Sequence, residues 1–86
     1  MIRMGTIWDN IYREFRDGRE FTVAEATSAA YPQSEGMRHD DYRWKGYYSR
    51  ANRALARAYE YGMVTKRIER LKFDGKRVYW RIVCTD

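Results

Sequence analysis

Residues 42–62 read YRWKGYYSRANRALARAYEYG, and the fold turns on how this stretch is read. At about 100° per residue, Trp44, Tyr48, Ala51, Leu55, Ala58 and Tyr59 collect on one side of a helix. Arg43, Arg50, Arg53 and Arg57 fall on the opposite side, with Gly46 among them. A helix over about 42–61 thus has one face for a core and a cationic face that a core cannot use. Gly62 follows the last apolar position and fits the glycine that closes a helix in the left-handed conformation. Asp40 or Asp41 stands at the start, where the helix dipole favours an acid. Gly46 costs up to about 1 kcal/mol relative to alanine inside a helix. On the cationic face it has two readings: a bare position that lets the backbone approach a ligand, or a tolerated surface glycine.

Downstream, Val78, Trp80 and Ile82 alternate with Arg77, Tyr79 and Arg81, the period of a half-buried strand. The strand before it, about Lys66 to Leu71, alternates less cleanly around Ile68. Asp74-Gly75 between them is a hairpin signal. Upstream, Thr6 is the expected N-cap of a first helix over Ile7–Arg16, with Asp9 as its capping-box acid. Ile7, Trp8, Ile11, Tyr12 and Phe15 form its apolar face. Glu20-Phe21-Thr22 has room for a few residues of strand. Thr22 with Glu25 makes a capping box for an alanine-rich second helix, Val23 to about Tyr31, which Pro32 ends. Residues 32–41 read as a polar loop.

The chain has 86 residues, enough for one small domain, 1–86. Aromatics at 16% and hydrophobics at 44% suffice for a core without metals or disulfides. Cys84 is the only cysteine, so no intrachain disulfide can form. No apolar run approaches the roughly 20 residues of a membrane span, and Met1–Thr6 is too short and polar for a signal peptide. The expected location is cytoplasmic. The net charge of +5 is unevenly spread. Residues 1–41 carry five arginines against eight acids, net −3; residues 42–86 carry twelve Lys/Arg against four acids, net +8. Such a basic half attracts polyanions.

The residues give little support for catalysis. His39 is the only histidine, and one Cys with one His makes no zinc site. There is no Gly-rich phosphate loop, and helix capping accounts for Asp40-Asp41. The expectation is a protein that is not an enzyme and holds no metal or cofactor. Tyr42, Trp44, Tyr47 and Tyr48, interleaved with cations, invite a reading as a stacking platform for unpaired bases. The wheel instead turns Trp44 and Tyr48 toward the core and leaves Tyr42 and Tyr47 at its edges.

The order of elements is helix, short strand, helix, loop, helix, strand, basic turn, strand. With Ala58-Tyr59-Glu60-Tyr61-Gly62-Met63-Val64-Thr65-Lys66-Arg67 and Lys76-Arg77-Val78-Tyr79-Trp80-Arg81-Ile82, it resembles the winged helix-turn-helix family over nearly the whole chain. The resemblance implies an α+β fold: three helices with a C-terminal β-hairpin wing. It departs in one respect. The loop of about ten residues between the second and third helices is longer than the tight turn usual there.

The resemblance implies double-stranded DNA binding and transcriptional regulation, with helix 42–61 in the major groove and wing 66–81 on the backbone or in the neighbouring minor groove. The N-terminal part of such a helix meets base edges, and here it offers Arg43, Lys45, Ser49, Arg50 and Arg53. Arginine can grip guanine O6 and N7 with both arms of its fork, and asparagine can read adenine. Asn52 lies nearer the flank of the wheel, where a solvent-facing role competes. Arg57, further along, falls to phosphate; Lys72, Lys76 and Arg77, around the hairpin tip, to phosphate or sugar. Arg67 and Arg70 are weaker candidates, with Glu69 or Glu60 available to pair with one of them. The alternatives are a winged-helix module that binds RNA or an acidic protein partner, and a non-specific architectural DNA binder. The resemblance also suggests a homodimer through the first helix and the preceding Met1, Ile2 and Met4; closure of the core is the competing use of that face.

Overall fold

The computed structural model describes residues 5–73 and 75–83. It is α+β, three helices and a two-stranded antiparallel hairpin, an order compatible with a winged-helix layout. The elements are α1 (Thr6–Phe15), α2 (Val23–Ala30), a 3-10 turn (Pro32–Ser34), α3 (Tyr42–Glu60), β1 (Val64–Arg70) and β2 (Lys76–Ile82).

The helix ends follow local chemistry. Thr22 Oγ1 accepts from the Glu25 backbone N–H, and the Glu25 carboxylate accepts from the Thr22 N–H, which completes the capping box of α2. Asp41 caps α3 by accepting from the Arg43 N–H at 2.8 Å. Gly62, at φ 73°, closes α3: its N–H donates to the Tyr59 carbonyl and that of Met63 to the Ala58 carbonyl. This pair of bonds is a Schellman motif, and it needs a residue that enters the left-handed region without strain. Thr6 is not a cap. Gly5 occupies that place without a side-chain bond, so α1 starts one residue early and the box expected with Asp9 does not form.

The core gathers Trp8, Ile11 and Phe15 from α1, Val23, Ala26 and Ala30 from α2, and Leu55 and Ala58 from α3. Val64, Trp80 and Ile82 close it from the hairpin. Phe21, fully buried, stacks on Phe15 at 4.2 Å and exchanges both backbone hydrogen bonds with Trp80. The strand expected at 20–22 is thus a single bridge on the free edge of β2. The α1 face expected to carry a dimer contact is turned inward at Trp8, Ile11 and Phe15. Met1, Ile2 and Met4 lie outside the described residues.

Two aromatic staples hold the long α2–α3 connection against α3. Tyr31 stacks on Tyr47 at 4.4 Å, and His39 on Trp44 at 4.0 Å. In the hairpin, β1 starts at Val64, two residues before the expected point, and pairs Val64 with Ile82 through Arg70 with Lys76. A two-residue Asp74-Gly75 turn would pair Phe73 with Lys76. The strands instead part at Arg70 and Lys76 and are joined by residues 71–75, with the Leu71 N–H donating to the Gly75 carbonyl. Asp74 itself is outside the described residues.

Candidate nucleic-acid interface

The exposed side of α3 carries the cations expected from the wheel, in two sets. Arg50, Arg53 and Arg57 line a shallow cleft beside Gly5, Thr6 and Ile7 at the start of α1. None of the three is in an ion pair with the described residues. On the other flank, Tyr48, Asn52 and Ala56 border a groove of about 660 Å³ between α3, the start of α2 and the hairpin. Lys66, Lys76, Val78 and Trp80 line its far side. Lys45 and Ser49, both exposed, stand seven and three residues before Asn52 and share its side of the helix.

Arg43 differs from the other arginines of α3. Its Nε and Nη2 donate to the two carboxylate oxygens of Asp41 at 3.3 and 3.0 Å. The fork holds the Asp41 carboxyl below its usual range, and the carboxylate raises the Arg43 pKa in turn. Arg43 would have to leave its own helix cap to reach a ligand. Next to it, Tyr42, Gly46, Tyr47 and Arg50 border a shallow cleft, and a Cβ added at Gly46 would meet nothing within 4 Å.

The register sorts the hairpin residues by face. Trp80 pairs with Lys66, so Lys66, Ile68 and Arg70 share the helix-facing side of the hairpin with Lys76, Val78 and Trp80. Lys66 Nζ sits 4.8 Å from the Tyr59 ring centre and 5.7 Å from that of Trp80, in cation–π geometry. Arg77 is on the outer side, where its Nη1 donates to the Tyr79 hydroxyl at 3.4 Å, and this bond raises its pKa. Arg67 is also outside. Its fork grips Glu20 at 2.8 and 3.1 Å and lies over Tyr79. The partner of Arg67 is therefore Glu20, 47 residues away, and neither Glu69 nor Glu60. Lys72 is exposed in the tip loop.

Residue by residue, α3 exposes Arg50, Arg53 and Arg57 on the flank beside α1 and Lys45 and Ser49 on the groove side. Lys76 faces the groove side from the hairpin, Arg77 faces outward, Lys72 is at the tip, and Arg43 is tied back. The wheel placed Tyr48 and Tyr59 on the core side, but they are 37% and 48% exposed. The hairpin reaches the core at Val64, Trp80 and Ile82 and leaves that flank of α3 open. Two groove residues were undervalued in the sequence. Asn52 sits in the groove, and Lys66 faces it. The pairing of Lys66 with Trp80 was the signal, and it needed the register to be read. Trp44 is 8% exposed and lies between His39 and Tyr48, so of the four aromatics considered for base stacking only Tyr42 is fully presented, at 81%.

Among the described residues no three His, Cys, Asp or Glu side chains gather into a metal-binding group. No described helix is long and apolar enough to cross a membrane. No protein-family model matches the chain, and no curated protein and no solved structure matches it either.

Proposed function

We propose that this chain is a double-stranded DNA-binding protein with a winged helix-turn-helix layout, acting as a transcriptional regulator. The N-terminal half of α3 enters the major groove, and the hairpin follows the backbone beside it. The observation that carries this reading is the exposed side of α3: on one flank Arg50, Arg53 and Arg57 lack ion-pair partners among the described residues, and on the other Asn52 faces Lys66 and Lys76 of the hairpin across a groove. A helix with its side chains is about 10–12 Å across, and a B-form major groove is about 12 Å wide. Lys45, Ser49, Arg50, Asn52 and Arg53 then meet base edges. Arg57, Lys72, Lys76 and Lys66 meet phosphate, and Arg77 meets a phosphate from the outer face of the hairpin.

The test is selection from a random duplex pool followed by alanine substitution. Arg53→Ala and Arg50→Ala should each cost about 1–3 kcal/mol on the preferred site and flatten the preference at one base position. Lys76→Ala should weaken all sequences about equally. If no duplex is enriched while an RNA hairpin or an acidic protein is bound, the reading is wrong.

A further inference from the structure

The tip of the hairpin carries a feature that backbone-tracking by cations leaves unused. Phe73 is 87% exposed, the most exposed of the large apolar side chains among the described residues. Leu71 does not share that exposure to the same degree. Its Cδ1 would lie 3.3 Å from a Cβ at Gly75, and its N–H is bonded to the Gly75 carbonyl. The loop is thus closed on itself by Leu71 and holds Phe73 outward. Around that ring the sequence places Arg70, Lys72, Lys76 and Arg77, with Asp74 as the one acid of residues 70–77.

We infer that Phe73 is an apolar wedge that enters the minor groove of bound duplex DNA and partly unstacks one base step. The inference rests on the DNA-binding reading above. An aromatic ring at the end of a cationic finger suits a polyanion with an apolar interior, and stacked bases inside a phosphate cage are such a target. The minor groove adjoins the major groove that α3 would occupy, and its width of about 6 Å admits a single aromatic ring. A second copy of the chain fits poorly. One phenylalanine offers about 150–250 Å², against roughly 800 Å² per partner in a stable interface, and two cationic tips repel each other.

The experiment uses the full chain and its selected duplex, with a fluorescent adenine analogue placed at successive steps under the tip. Unstacking raises the emission of such an analogue. The wild-type protein should raise it several-fold at one step, and Phe73→Ala should abolish the rise. Affinity should fall roughly tenfold or more, the equivalent of losing the burial of one large apolar side chain. The slope of affinity against salt should stay unchanged, because no cation is removed. Phe73→Trp should retain the signal. Phe73 lies outside the core, so the alanine variant keeps the fold, which a thermal melt verifies.

If wild type and Phe73→Ala bind duplex equally and neither raises the emission, the wedge is wrong and the DNA-binding reading stands. If the wild-type protein binds no duplex, the underlying reading itself fails. Sedimentation that shows a dimer lost on Phe73→Ala would overturn the wedge in favour of self-association.

Discussion

Gly46 is the residue whose two readings a single substitution separates. It sits mid-helix with open space where a Cβ would go. Gly46→Ala should therefore stabilise α3 by up to about 1 kcal/mol and raise the melting temperature. If the α3 backbone comes close to DNA there, the same variant should bind duplex more weakly although it folds more stably. A stable variant with unchanged affinity would make Gly46 a surface glycine and nothing more. Arg43 gives the opposite lesson. Its charge was legible in the sequence, but the carboxylate that holds it is its own helix cap, two residues away. Helical-wheel reasoning assigns faces and is blind to such local forks. Asn52 was undervalued for a related reason, since its flank becomes a groove only once the hairpin is placed opposite.

At the scale of elements, chemistry confined to a few neighbouring residues was legible and long-range pairing was not. The Thr22/Glu25 box, the stop at Pro32 and the Gly62 closure each depend on residues within a turn of one another, and each is where the sequence put it; the α3 cap falls to Asp41, one of the two acids offered for it. Thr22→Ala should cost about 1 kcal/mol, which for a domain of this size lowers the melting temperature by about 4–8 °C; calorimetry checks it. Thr6 misled because a threonine before an apolar-periodic run resembles a cap, although Gly5 takes the position. The turn misled because Asp-Gly signals a tight hairpin, whereas the cross-strand register from Val64 to Ile82 demands a longer connection. The single-residue bridge of Phe21 to Trp80 likewise depends on a partner 59 residues away in the chain.

Across the whole molecule the two charge regimes of the sequence become two regions. Glu14, Glu25 and Glu35 border a cleft between α1, α2 and the 3-10 turn, while the exposed side of α3 carries Arg50, Arg53 and Arg57, which have no ion-pair partner among the described residues. Glu20 and Arg67 join the first region to the second. The Arg67 guanidinium holds the Glu20 carboxyl below its usual range, the Arg43 guanidinium does the same for Asp41, and the Arg19 backbone N–H, helped by its guanidinium, does so for Asp17. A carboxylate with a depressed folded pKa adds stability above its unfolded pKa, and that stability is lost as pH falls through the folded value. The unfolded values here are near 3.8 for aspartate and 4.5 for glutamate. Thermal stability should therefore drop as pH falls below about 4. Glu20→Gln should lower the melting temperature near neutral pH and have no effect once Glu20 is protonated in both states. An equal loss at both extremes would mean that packing, not charge, ties the hairpin down.

The longest dimension of the molecule is 37 Å, close to one turn of duplex at about 34 Å. Such a footprint allows five or six phosphate contacts from the cations of α3 and the hairpin. The most direct measurement is the affinity for a labelled duplex across a series of salt concentrations. The account predicts a straight line of log affinity against log salt with a slope of roughly −5. A flat line, or no duplex binding at about 50 mM salt, would contradict it, because a cationic face that meets phosphate must release counterions.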